Sequence, residues 1–217
     1  GWDVAAVRAV RAAHPDLDLH VDANGAYLPG DDSTGIFQEL DRLGLTMIEQ
    51  PFGARDFAAH AELQQRIGTP ICLDESVVDV EDLETMLRLD AGRVLNIKVS
   101  RMGGLLKAKR AHDIAQNAGI PVWCGGMHEF GVGRAANVAI SSLPNFLLPS
   151  DVSGSDKYYA HDIIEPPVSA VRGVVTVPES PGIGHTVDAE RVAHEVSAVF
   201  DSAAASEALQ RQAEVVS

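Results

Sequence analysis

Apolar residues recur along the first 150 positions in two alternating rhythms. Residues 4–14 place Ala6, Val7, Val10 and Ala13 on one stripe, the spacing of an amphipathic helix, and Pro15 interrupts it before the apolar run 17–21. The same pairing of a helix-period segment with a short apolar run then repeats. Segment 36–43 precedes run 46–48, 57–67 precedes 71–73, 80–89 precedes 94–97, 105–118 precedes 121–123, and 132–143 precedes 146–148. About six short strands alternating with helices predict parallel βα units, and a parallel sheet covered by helices on one side closes naturally into a barrel. After Asp151 the rhythm loosens into a polar, proline-containing stretch through Pro167. Residues 174–177 then predict an added strand before Pro181, Gly182 and Gly184, and 188–200 predict a last helix. The Ala- and Ser-rich stretch 201–217 carries no chemistry.

A chain of 217 residues with 46% hydrophobic content buries one good-sized core, in the range where α/β barrels run as a single domain. Seventeen basic against 31 acidic residues give a formal net charge of -14, and there is no basic block, so nucleic acid is not an expected partner. No apolar run approaches the length of a bilayer span, and Gly1-Trp2-Asp3 lacks the basic-then-apolar layout of a signal peptide. These features predict a cytoplasmic protein without membrane partners. Cys72 and Cys124 lie in separate apolar runs with no CxxC motif, as expected of buried small hydrophobes.

The first four predicted strands each end on a charged residue, Asp22, Glu49, Asp74 and Lys98, separated by 27, 25 and 24 residues. Each gap is one βα module. The carboxyl ends of parallel strands converge on the rim where barrel active sites are built. Side chains alternate along a strand, so Asp22 shares a face with His20, Asp74 with Cys72, and Lys98 with Asn96. Three carboxylates aimed at one mouth repel one another, and a bound cation is the simplest way to keep all three ionised. Oxygen donors without Cys or His favour a hard ion, Mg²⁺ first and Mn²⁺ second.

Other polar features have plainer readings. Gly125-Gly126 and Gly131-x-Gly133 form no phosphate-binding fingerprint and predict tight turns. Ser153 and Ser155 have no nearby His base and read as loop or capping serines. Asn24 and Glu75 adjoin the carboxylates and are expected to support them. Arg101 is expected to pair either with an anion or with a rim carboxylate.

The segments Val21-Asp22-Ala23-Asn24, Ile48-Glu49-Gln50-Pro51, Leu73-Asp74-Glu75-Ser76, Asn96-Ile97-Lys98 and Arg101-Met102-Gly103-Gly104 resemble the barrel of the enolase superfamily. Within it the chain is similar to the o-succinylbenzoate synthase and N-succinylamino acid (N-acylamino acid) racemase group. Pro121 to Met127, Glu129, Gly133 to Asn137, and Leu143 to Phe146 with Asp151, Ser153, Ser155 and Asp156 match the same group, and the likeness covers about residues 1–190. It implies an enolase-type (β/α)7β barrel, with residues 1–190 as a partial TIM-like catalytic barrel and 191–217 as a C-terminal helix and tail. It implies a metal held by Asp22, Glu49 and Asp74. It further implies proton movement at a carbon beside a carboxylate, through a metal-stabilised enediolate, with Lys98 as acid/base. Asn24, Glu75, Asn96, Gly126, Met127 and Glu129 are the expected supporting or substrate-binding residues. The expected partners are a small carboxylate substrate and further copies of the chain.

Two departures stand out. Family members carry a Lys-x-Lys pair on the strand before the module that starts here, and a capping domain before that. Neither is in this sequence, so the barrel is expected to be N-terminally truncated. His128 stands where relatives usually have a small or aliphatic residue, and reads either as a partly exposed loop histidine with no special role or as a substrate contact on an altered loop. Three functional readings follow: a Mg²⁺-dependent dehydratase or racemase, a Schiff-base barrel aldolase using Lys98, and a catalytically incomplete barrel fragment.

Overall fold

In a computed structural model the described residues are 2–195. Five helix–strand steps run in chain order: α1 (Trp2–Ala13) and β1 (Val21–Asp22), α2 (Asp31–Asp41) and β2 (Ile48–Glu49), α3 (Phe57–Gln64) and β3 (Ile71–Leu73), α4 (Val80–Leu89) and β4 (Val94–Asn96), α5 (Leu105–Asn117) and β5 (Val122–Trp123). Helix α6 (Gly131–Ile140) follows, then a short 3-10 turn at Ser155–Lys157, a hairpin of β6 (Ile164–Glu165) with β7 (Thr186–Val187), and α7 (Ala189–Glu195). The first five strands form one parallel sheet in the order β1-β2-β3-β4-β5, so every connection leads to the neighbouring strand. Helices α3 to α6 pack each against the next, and α1 packs on α2. The sheet is therefore wound in one direction, with its helices along one face.

Alternation along the strands sorts the side chains. Ile48, Ile71, Leu73, Leu95 and Ile97 are fully buried with Phe37, Leu83 and Met86 between sheet and helices. Each such side chain contributes about 1.5–3 kcal/mol by leaving water. Met47, Cys72, Val94 and Trp123 form a separate small cluster, joined by Leu148, on the opposite face. Glu49, Asp74, Asn96 and Lys98 stand an even number of positions from these residues and share that face.

That face is strongly curled. Strands β1 and β5 lie four strand spacings apart, about 19 Å in a flat sheet, yet the rings of His20 and Trp123 have centroids 5.7 Å apart. Trp123 Nε1 donates to Cys72 Sγ at 3.3 Å, past the intervening β4, and Asn96 Nδ2 donates to Glu49 Oε1 at 2.7 Å, past β3. Side chains of alternate strands thus meet in layers, the packing found inside parallel barrels.

Element boundaries differ from the sequence expectations where end effects compete with periodicity. Helix α2 starts five residues before the predicted 36. Asp31 and Asp32 favour its positive N-terminus, and Ser33 Oγ donates to Leu28 and Gly30 carbonyls at 2.8 and 3.0 Å. The predicted strand 17–21 shortens to Val21–Asp22, with Leu17 48% exposed and its carbonyl accepting from Arg11 at 2.6 Å. The predicted strand 146–148 reduces to a single parallel bridge from Phe146 to Val122, and 174–177 to an isolated bridge between Val171 and Val174. Valines 174 and 177 face solvent, so their β-propensity has no sheet to pack on. The predicted helix 188–200 is present as α7, and its remainder, with the tail 201–217, lies outside the described residues. No helix among the described residues is long and apolar enough to cross a membrane.

Candidate active site

The strand ends of the curled face bring Glu49, Asp74, Asn96 and Lys98 together, with Asp22 at the edge. Asp74 follows β3 directly and is 1% exposed; its Oδ2 accepts from Lys98 Nζ at 2.8 Å, and its Oδ1 accepts from Arg101. Burying one carboxylate with two cations spares it the large cost of an unpaired interior charge. Lys98 is therefore placed beside a carboxylate predicted as a metal ligand, and Arg101 takes the rim-carboxylate alternative.

Glu49, at the end of β2, is 2% exposed. Burial pushes its carboxyl up to about 8, and the neighbouring Asp22 and Asp74 charges push the same way; the Asn96 hydrogen bond and Lys98 oppose them. Asn96 is itself buried, and its Oδ1 accepts from the Gly125 backbone N–H at 2.7 Å. It thereby links β2, β4 and the end of β5. Asp22 is exposed, and both its oxygens are taken by Asn24, the backbone N–H at 2.8 Å and Nδ2 at 2.7 Å. Asn24 has φ +44°, a left-handed conformation that Asn tolerates better than most residues.

Glycine at 125 is a steric requirement of this site. A Cβ there would sit 2.6 Å from both Lys98 Cε and Asn96 Oδ1. At Gly126 a Cβ would run into the Asp151 backbone carbonyl. Gly125 leaves room for neighbouring side chains and Gly126 for a neighbouring backbone carbonyl, a role beyond the tight turn that sequence spacing predicts.

The remaining candidates are placed at varying distances from this core. Glu75 is half-buried, with Oε2 enclosed and without a hydrogen-bond partner among the described residues. Met127 and His128 are exposed on the loop after β5, and the His128 ring lies 4.6 Å from that of Tyr158. Glu129 turns away to Asn137, its carboxyl raised by burial against the pull of Arg134 and Asn137. Arg134 is buried and ties the Glu129 carbonyl, at 2.9 Å, to the Ser153 carbonyl, at 2.8 Å. Glu129 and Arg134 thus brace the loop. Both cysteines are free and fully buried, and Cys124 is pushed up to about 12 by burial.

The donor chemistry suits a hard divalent ion: three carboxylates stand at adjacent strand ends, and the Glu49 carboxyl is raised chiefly by burial and further by its acidic neighbours. Among the described residues, however, no three His, Cys, Asp or Glu side chains are gathered around one point suited to a metal. Asp22 faces Asn24, and Asp74 faces Lys98 and Arg101. A carboxylate has about four acceptor positions on its two oxygens, so each keeps capacity towards an ion beside those partners. Gln50 was not singled out by the sequence. Its signal there was a polar residue wedged between an apolar strand and Pro51, at a position the structure shows to be wholly buried.

The chain is similar in sequence and fold to known proteins. The chain is 50% identical over 192 residues to an o-succinylbenzoate synthase of Geobacillus kaustophilus, covering 88% of this chain and 51% of that protein. It is 52% identical over 185 residues to an N-succinylamino acid racemase of an Amycolatopsis species, covering 85% and 50%. Among solved structures, a probable mandelate racemase of Alicyclobacillus acidocaldarius superposes with TM-score 0.85 at 41% identity, over 91% of this chain and 51% of that one. A muconate lactonizing enzyme of Pseudomonas fluorescens gives TM-score 0.80 at 29% identity, over 88% and 52%. The chain spans about half the length of the curated relatives it matches. A sequence model described as "Enolase C-terminal domain-like" matches residues 1–192, and the chain belongs to that family.

Proposed function

We propose that this chain forms the catalytic portion of a divalent-metal-dependent lyase or isomerase. It would act on a carbon next to a carboxylate, either by the dehydration that yields o-succinylbenzoate or by racemisation of N-succinylamino acids. The single observation that carries the reading is the Lys98–Asp74 pair at 2.8 Å beside the buried Glu49, on one curled face of a parallel sheet. The names of the relatives support it. In this reading the sheet is an arc of a (β/α)7β barrel.

Asp22, Glu49 and Asp74 would hold the ion, Mg²⁺ or Mn²⁺. When bound, it supplies Lewis-acid stabilisation of charge developing on the substrate carboxylate, without which the neighbouring carbon is too weakly acidic for a side-chain base. Lys98 Nζ moves the proton on one face of that carbon, held in place by Asp74 Oδ2. Asn96 holds Glu49 so that Oε1 is engaged and Oε2 is left free of it. Gly125 keeps the space above Lys98 Cε open. The Schiff-base reading gains nothing from this geometry, because a Schiff-base lysine has no need of three carboxylates at neighbouring strand ends.

The test combines binding with turnover. Mg²⁺ should raise the melting temperature of the protein, since a ligand stabilises the state that binds it, and Asp22→Ala, Glu49→Ala and Asp74→Ala should each abolish the rise. Formation of o-succinylbenzoate and racemisation of N-succinylamino acids would be assayed in parallel. Undiminished Mg²⁺ stabilisation in all three variants would rule out the site.

A further inference from the structure

Gln50, directly after Glu49, is wholly buried and has φ +36°, a left-handed backbone that residues other than glycine seldom adopt. Such a conformation persists where its surroundings over-determine it. Here the surroundings are hydrogen bonds. Gln50 Nε2 donates to the Phe52 carbonyl at 2.9 Å and to Ser76 Oγ at 2.7 Å, and Oε1 accepts from the backbone N–H groups of Asp74 at 2.9 Å and Ser76 at 3.3 Å. Its own backbone N–H donates to the Cys72 carbonyl at 2.9 Å. The carboxamide has two donor hydrogens and two acceptor positions, and all four are used.

These bonds tie the end of β2 to the end of β3, the strand ends that present Glu49 and Asp74. The chemistry of the tie matters as much as its position. A carboxamide donates and accepts at once without carrying charge. A carboxylate at 50 would add another anion to the acidic cluster, and an ammonium would compete with a cation for it.

We propose that Gln50 is a positioning residue: through Asp74 and Ser76 it sets the separation of the Glu49 and Asp74 carboxylates, and so the affinity of the site for a divalent cation. This rests on the metal reading above. Partners that orient metal ligands typically govern affinity by about 10- to 100-fold, whereas a residue that only stabilises the fold leaves the affinity of the folded protein unchanged.

The experiment is Mn²⁺ titration of the full chain followed by electron paramagnetic resonance, which reads both free Mn²⁺ and the spectrum of the bound ion, with urea unfolding measured alongside. Gln50→Met should bind Mn²⁺ about 10- to 100-fold more weakly with an altered bound spectrum. Ser76→Ala removes one partner of the carboxamide with little change in volume, and should weaken binding in the same direction by about the lower end of that range. If Gln50→Met does not fold, Ser76→Ala decides. Wild-type affinity and an unchanged spectrum in the folded variants would overturn the proposal, whatever their urea midpoints. A wild type that binds Mn²⁺ and loses it in Glu49→Ala, while both variants bind normally, sinks this inference alone. A wild type that binds no Mn²⁺ sinks the metal reading together with it.

Discussion

Glu49→Gln should change the pH dependence of stability in a direction that the structure dictates. The Glu49 carboxyl is raised from 4.5 to about 8 in the folded protein, chiefly by burial. Between those values the folded state holds a proton that the unfolded state has released. Stability from this group is therefore present below about 4.5 and is lost as pH rises through about 8. Buried His60 acts in the opposite sense. Its ring accepts from the Phe52 backbone N–H at 3.0 Å through Nε2, and burial lowers it from 6.5 to about 4, so its stabilisation is lost as pH falls through that range. From pH 4.5 to 6.5 the two slopes oppose each other. From 6.5 to about 8 only Glu49 acts, at up to about 1.4 kcal/mol per pH unit, or roughly 2 kcal/mol over the interval. The metal-free wild type should thus be about level from pH 4.5 to 6.5 and then lose about 2 kcal/mol by pH 8. Glu49→Gln keeps the shape of the side chain and should rise to pH 6.5 and then stay level. Urea unfolding at half-unit pH steps in a chelator measures this. A wild type as stable at pH 8 as at 6.5, or a variant with the same decline, would refute the assignment of a protonated Glu49. Saturating Mg²⁺ should remove the decline, because the ion binds the ionised carboxylate.

Two further outcomes test the site. Gly125→Ala puts a methyl group 2.6 Å from Lys98 Cε and Asn96 Oδ1, and Asn96 is pinned by two 2.7 Å hydrogen bonds; overpacking should cost about 1–3 kcal/mol in urea unfolding, and unchanged stability would mean that the strand ends yield more easily than their hydrogen bonds imply. Lys98→Ala should lower turnover by about 10²-fold or more with Mn²⁺ affinity near that of wild type, and normal turnover on both candidate substrates would remove Lys98 from the mechanism.

Much of the architecture was legible in the sequence because it depends on local physics. Helical stripes, short apolar runs and their alternation follow from side-chain period alone. One charged residue per module at Asp22, Glu49, Asp74 and Lys98 marks the strand ends, and all four stand at or just beyond the ends of β1 to β4. The burial of Cys72 and Cys124 was likewise readable from their apolar surroundings.

Contacts between segments that no local pattern links were decided by the tertiary structure. The β6–β7 hairpin pairs Ile164 with Val187 across more than twenty residues with no tight turn to announce it. The pairing of Arg101 and Lys98 with one carboxylate depends on where the loop after β4 turns back. Above all, curvature sets the site. The contacts of Asn96 with Glu49, and of His20 with Trp123, skip intervening strands and exist only because the sheet curls. Periodicity says which face a side chain takes, and it is silent on how far that face bends. The four hydrogen bonds that made Gln50 a structural hub have the same origin, since a buried amide finds its partners only when the ends of two strands are brought level.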